Sequence, residues 1–226
     1  MPPTSVQPQL TTTQTPDRLR AGILFLHGGT SSSTDVGNRS LSWRRARSMQ
    51  QAIAPEAAQA GVGIWLLRYR VRGWNRTGTD VVADARWALG QLRERVDGPL
   101  VLLGHSMGAR AAIHVADDPS VTGVVAMAPW WEPGDPVITL TGRDLSAAHG
   151  RRDKITSFAM TESYVAEAST VTRSASFTDM GGVGHYMLRQ IPTWNRFALR
   201  DSLAMLRPED RPGDRPGDLD DDPQRG

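Results

Sequence analysis

The sequence predicts an α/β domain: a mostly parallel sheet of about six to seven strands, with helices on both faces. Three observations carry this. Compact apolar runs recur along the chain at Ala21–Leu26, Val62–Tyr69, Leu100–Leu103 and Val121–Ala128, without the in–out alternation of a half-solvated strand. Segments of helical character separate them. Two of the runs leave through glycine-rich exits, His27-Gly28-Gly29 and Gly104-His105-Ser106-Met107-Gly108.

The elements follow in order. Residues 1–18 are Thr/Pro/Gln-rich and read as a flexible segment, within which Val6–Thr13 has the pattern of one possible edge strand. Ala21–Leu26 is a buried strand. Trp43–Ala60, rich in Ala, Gln, Arg and Met, is helical, and Val62–Tyr69 is the next strand. In Asp80–Val96 the residues Val81, Ala85, Ala88, Leu89 and Leu92 share one face at helical spacing. Leu100–Leu103 precedes an Ala-rich helix at Met107–Ala116, and Val121–Ala128 is the fourth long apolar strand. Weaker strands are expected at Leu145–Ala148 and Ala175–Phe177. Helices are expected at Ser157–Ala168 and at Tyr186–Leu206, the latter kinked at Pro192.

The domain therefore spans 19–206. Residues 207–226 hold seven acids, four arginines and repeated Pro-Gly pairs with one aliphatic side chain, and are expected to be disordered. The whole chain has 226 residues and a net charge of +2, of which the body carries +5 and the last twenty residues −3. That balance is mild for a nucleic-acid binder. No apolar run reaches the ~18 residues of a membrane span, and no leader-like apolar stretch opens the chain. Cysteine is absent, which excludes disulfides, thiol catalysis and cysteine metal sites. The reading is a cytoplasmic protein with no nucleic-acid or membrane partner and an undefined oligomeric state.

Chemistry concentrates at Leu103-Gly104-His105-Ser106-Met107-Gly108, a G-x-S-x-G sequence with a strand before it and a helix after it. A sharp strand-to-helix turn lifts Ser106 above the sheet, and the two glycines leave room for the tight backbone. The N–H of Met107, at the helix N-terminus, is then placed to stabilise developing negative charge. A second donor is needed from the loop after an earlier strand. The Gly29 N–H is the first choice and Thr30 the second; His27 is expected to hold that loop rather than react.

On His27-Gly28-Gly29, the Ser106 turn and a late Asp and His in that order, residues 20–206 resemble the small capless α/β-hydrolases, of the dienelactone hydrolase-like and serine esterase kind. The resemblance implies a Ser–Asp–His triad, with the acid after a late strand and the histidine after the last. Of five histidines, only His185, after Gly181-Gly182-Val183-Gly184, has that order. Three acids compete. A strand at Val137–Thr141 would favour Asp144, but only eight residues separate it from Ala128, short of the dozen or so a parallel crossover needs. Sixteen residues separate Ala128 from Leu145, which favours Asp153; Asp179 is the third candidate.

Trp130 and Trp131, after the fourth strand, and Tyr186 beside His185 are expected to wall the substrate site together with Thr30. The Arg-rich stretch Arg68–Arg76 reads as a structural loop or an anion-facing rim. No H-E-x-x-H, G-x-G-x-x-G or phosphate-loop pattern occurs, so no metal or other cofactor is expected. The implied activity is cleavage of a small-molecule ester or thioester by an acyl-enzyme route. A biosynthetic acyltransferase or cyclase, or a non-catalytic binding protein, uses the same scaffold.

Overall fold

A computed structural model describes residues 7–33 and 40–206. The strands are β1 (Gln9–Thr12), β2 (Ala21–Leu26), β3 (Val62–Arg68), β4 (Leu100–His105), β5 (Val121–Met127), β6 (Asp144–His149) and β7 (Ser174–Asp179). The helices are α1 (Leu41–Gln59), α2 (Thr79–Arg93), α3 (Met107–Val115), α4 (Phe158–Ala168) and α5 (Ile191–Met205). All seven strands form one sheet in the order β1-β3-β2-β4-β5-β6-β7. Every pairing is parallel except that of β1 with β3.

The central strands are buried on both faces, which is why they read as solid apolar runs. Leu24, Leu26, Leu100, Leu102, Val124 and Ala126 face α2, α3 and α4. Ile23, Phe25, Val101, Leu103, Val125 and Met127 face α1 and α5 around Trp194. The period-2 alternation of a strand thus feeds two cores at once, and each fully buried leucine or isoleucine contributes roughly 1.5–3 kcal/mol.

The structure bears on three sequence expectations, changing the first and the last. Gln9–Thr12 pairs with β3 from Gln9↔Arg68 to Thr12↔Trp65, so this part of the 1–18 segment belongs to the sheet. Val137–Thr141 is a 3₁₀ turn (Ile138–Leu140) within the sixteen-residue connection from β5 to β6, and no cap occupies that connection. The last helix starts at Ile191 rather than Tyr186, and Pro192 stands in its first turn instead of kinking it. Proline lacks an N–H that the first turn does not use, and its fixed φ suits the start of a helix. Residues 185–190 are thereby left as a turn. The expected disordered tail, 207–226, lies outside the described residues, as do residues 1–6. No helix among the described residues is long and apolar enough to cross a membrane.

Candidate active site

The parallel strands β2, β4, β5, β6 and β7 all end on one side of the sheet, and the loops leaving them converge there. After β4 the chain turns at Ser106, whose backbone is left-handed with φ 54° and ψ −120°. Such a conformation costs a non-glycine residue on the order of 1–3 kcal/mol and persists only where its surroundings hold it. Here Ser106 N donates to Met127 O at 3.1 Å, and Ser106 O accepts from Ala109, Arg110 and Trp130 N–H groups. Gly104 and Gly108 are required by space: a Cβ on Gly104 would lie 2.4 Å from Ala109 Cα, and one on Gly108 would lie 2.0 Å from Leu26 O.

Ser106 Oγ lies 3.0 Å from His185 Nε2, and His185 Nδ1 lies 2.8 Å from Asp153 Oδ2. The three residues expected from the sequence are thus brought into one hydrogen-bonded line. Asp144 and Asp179 are not in it. Asp144, at the opposite end of β6, pairs with Arg173, while Asp179 pairs with Arg151 and accepts from Gly181 N.

Asp153 is side-chain buried, at 1% exposure, and heavily bonded. Oδ1 accepts from the Ile155 and Thr156 N–H groups at 2.8 and 3.0 Å. Oδ2 accepts from His185, from Thr156 Oγ1 at 2.9 Å and from His149 Nε2 at 3.0 Å. Burial opposes its ionisation, but the bonds from His149, His185 and the two backbone amides outweigh that and hold its carboxyl well below the usual range. An ionised carboxylate only accepts, so His185 carries its proton on Nδ1 and presents a lone pair on Nε2 to the serine.

Gly29 lines the same cleft as Ser106, Met107 opens α3 directly after it, and neither N–H group is taken up by a turn or loop hydrogen bond among the described residues. The Thr30 N–H, the second choice for that role, donates to Arg72 O at 3.1 Å instead. Thr30 and Gly73 form a parallel bridge that pins the loop to the chain leaving β3. A Cβ on Gly29 would stand 2.2 Å from Arg72 O and 2.5 Å from Met107 Cε, so only glycine fits. His27 packs edge-on against Trp43 and Tyr69, and its Nδ1 bonds Gly28 O at 2.6 Å. Burial pushes its pKa down to about 4.

A cleft of about 390 Å³ opens over Ser106, lined by Gly29, Thr30, Trp130, Ile155, Thr156 and Tyr186 among others. Trp130 is held rigidly: its Nε1 donates to Glu132 at 2.6 Å, and the Arg110 guanidinium lies 5.0 Å from its ring centroid. Trp131, expected beside it, does not line the cleft. Its indole is 3% exposed, packs on Tyr164 and donates from Nε1 to Ala109 O. In the stretch after β3, Arg70 is clamped to Asp84 through its backbone N–H and its side chain. Among the described residues no group of three or more His, Asp or Glu side chains is disposed to hold a metal ion.

Sequence reasoning missed the parts played by His149, Thr156 and Ile155. All three lie within four residues of Asp153, so proximity to the favoured acid was the available signal.

Comparison with known proteins follows this geometry. The profile described as the alpha/beta hydrolase family matches residues 23–224. No curated protein sequence matches the chain. Among solved structures, an alpha-beta serine hydrolase homologue from Coxiella burnetii is 16% identical with TM-score 0.62, covering 86% of this chain and 90% of that one. A thermophilic esterase from Thermogutta terrifontis with propionate bound is 16% identical with TM-score 0.65, covering 88% of each chain. Est1E from Butyrivibrio proteoclasticus with ferulic acid bound is 10% identical with TM-score 0.62, covering 88% and 95%. At these identities the likeness is one of fold, whereas the family profile spans most of the sequence. The chain belongs to the alpha/beta hydrolase family and is a hydrolase.

Proposed function

We propose that the protein is a serine hydrolase of carboxylic esters or thioesters, acting through an acyl-enzyme on Ser106. The observation that carries this is the line from Ser106 Oγ through His185 to Asp153, ending in an open cleft. Ser106 Oγ attacks the substrate carbonyl while His185 Nε2 takes its proton. The resulting oxyanion is met by the Gly29 and Met107 N–H groups. As the carbonyl re-forms, the carbon–oxygen or carbon–sulfur bond breaks and His185 returns the proton to the departing alcohol or thiol. Water then attacks the acyl-enzyme, losing a proton to His185, and the acid leaves as Ser106 recovers its hydrogen. Asp153 keeps the imidazole in the needed tautomer and stabilises its cationic form.

Trp130 and Tyr186 supply aromatic walls, and Thr30 a polar edge, to a cleft that no cap covers. That shape suits accessible short acyl or aryl esters. The propionate and ferulic acid held by two proteins of the same fold are consistent with it.

The test is a panel of p-nitrophenyl esters from acetate to palmitate, with matching thioesters and an added alcohol to compete with water. Free acid should be the main product, the short members should react best, and Ser106→Ala should lose at least ~10³-fold in kcat. An organophosphonate should label Ser106 and fail to label the alanine variant. Labelling that survives Ser106→Ala would place the nucleophile elsewhere, and a transfer product in excess of acid would make the protein an acyltransferase.

A further inference from the structure

Asp153 meets two histidines, not one. His149, the last residue of β6, is completely buried, at 0% exposure. Its Nε2 lies 3.0 Å from the same Oδ2 atom that His185 Nδ1 reaches at 2.8 Å. Its other nitrogen, Nδ1, lies 2.7 Å from Thr161 Oγ1 on α4. The ring therefore spans from α4 to the acid, and Phe158 packs edge-on against it, with centroids 6.0 Å apart.

The proton positions follow from the partners. An ionised carboxylate has no hydrogen to give, so both Nδ1 of His185 and Nε2 of His149 must carry one. Thr156 Oγ1 adds a third donor at 2.9 Å. One carboxylate oxygen thus receives three hydrogen bonds, of which one belongs to the base. Each additional donor draws charge from Oδ2 and leaves less of it to stabilise the imidazolium of His185.

We propose that His149 is a positioning residue for the acid: by donating to Asp153 Oδ2 it fixes the carboxylate and lowers the basicity that Asp153 confers on His185. The base then stays unprotonated, and competent to activate Ser106, to lower pH than an Asp–His pair without this donor. The inference rests on reading Ser106, His185 and Asp153 as the triad.

The groups facing this pair are few. Besides Asp153, His185 is faced by Ser106 Oγ, Thr156 Oγ1, the ring of Tyr186 and His105. His105 bonds the His185 carbonyl through Nε2 at 3.1 Å. Burial first, and the neighbouring His185 next, push its pKa down to about 3, so it stays neutral through the range of interest. Arg45 of α1 acts on His105 from behind. His149 is faced by Asp153, Thr156 and Thr161.

The experiment is the pH dependence of the rate at which an organophosphonate labels Ser106, followed from pH 4.5 to 9, which needs no natural substrate. In His149→Phe, which keeps a ring of similar size without the donor, the acidic limb should move up by about half a pH unit or more. His149→Gln, which returns an N–H donor, should bring the limb back toward the parent. The His185 Nδ1 proton resonance should shift in the phenylalanine variant and recover in the glutamine one. Should His149→Phe not fold, Thr161→Val, which removes only the partner of Nδ1, should shift the limb in the same direction by less. A folded His149→Phe or Thr161→Val whose limb matches the parent, or a uniform loss of rate that Gln does not reverse, would overturn the proposal. Parent protein that is not labelled at Ser106 would instead overturn the triad reading beneath it.

Discussion

The replacement Asp153→Asn tests the acid most directly. All five groups around the Asp153 carboxylate donate: two backbone N–H groups at Oδ1, and His185, His149 and Thr156 at Oδ2. An asparagine has one accepting oxygen and one donating nitrogen. Whichever way its amide turns, an N–H₂ confronts donors. If the nitrogen takes the Oδ2 position, His185 Nδ1 must become an acceptor, its proton moves to Nε2, and the lone pair facing Ser106 Oγ is lost. In the best-studied triad that exchange lowers kcat by about 10⁴, equivalent to about 5.4 kcal/mol. If the nitrogen takes the Oδ1 position, two buried backbone N–H groups are opposed, at roughly 1–3 kcal/mol for each one left unsatisfied. We expect Asp153→Asn to lose at least two orders of magnitude in kcat on p-nitrophenyl butyrate. It should keep its circular dichroism spectrum and melt lower by roughly 2–4 °C per kcal/mol lost. Asp144→Asn should stay within about tenfold, because Asp144 lies five residue steps, or ~17 Å, back along β6 and bonds Arg173 and Ser174. A crippled Asp144→Asn or Asp179→Asn beside an active Asp153→Asn would refute the assignment.

Two further outcomes follow from the same geometry. Gly29→Ala places a Cβ 2.2 Å from a backbone oxygen, so the loop must move and carry its N–H away from Ser106; kcat should fall 10²–10³-fold. A folded Gly29→Ala within threefold of the parent would remove Gly29 from the oxyanion role. Stability should also fall on acidification through two buried histidines. His27 and His105 are pushed by burial to about 4 and about 3, against an unfolded value near 6.5. The unfolded chain therefore binds more protons below pH 6.5. The stability is whole above that value and declines as pH falls toward 4, by up to about 1.4 kcal/mol per pH unit for each histidine. Melting temperatures from pH 7.5 to 4.5 measure this, and a flat profile down to pH 5 would contradict it.

The parts of the site that the sequence made legible are those governed by connectivity. In a parallel sheet every strand's carboxyl end lies on one side, so loops separated by tens of residues must meet. Gly29 follows β2, Ser106 β4, Trp130 β5, Asp153 β6 and His185 β7. The order of strands and the length of one crossover therefore favour Asp153 over Asp144, even though Val137–Thr141 has the better strand propensity. Propensity loses there because a parallel return needs chain length before it needs β-branched residues. What stayed hidden are choices made by individual side chains once the loops have met. Trp130 and Trp131 are identical in the sequence and opposite in space, the one held by Arg110 at the cleft and the other bonded to Ala109 in the core. The start of α5 turned on a single residue, Pro192, which suits a helix's beginning as well as its bending. His149 is hidden for a different reason. Four residues before an acid is ordinary spacing, and only the turn at Gly150–Arg152 swings Asp153 back so that its carboxylate meets the imidazole at the end of β6. Gly150 is needed for that return, since a Cβ there would sit 2.3 Å from Val183 O, on the loop that carries His185. The close approach of these two loops is what lets one carboxylate oxygen serve both histidines. The tightness of the turn and the proton held on His185 are thus one structural fact, reached from either loop.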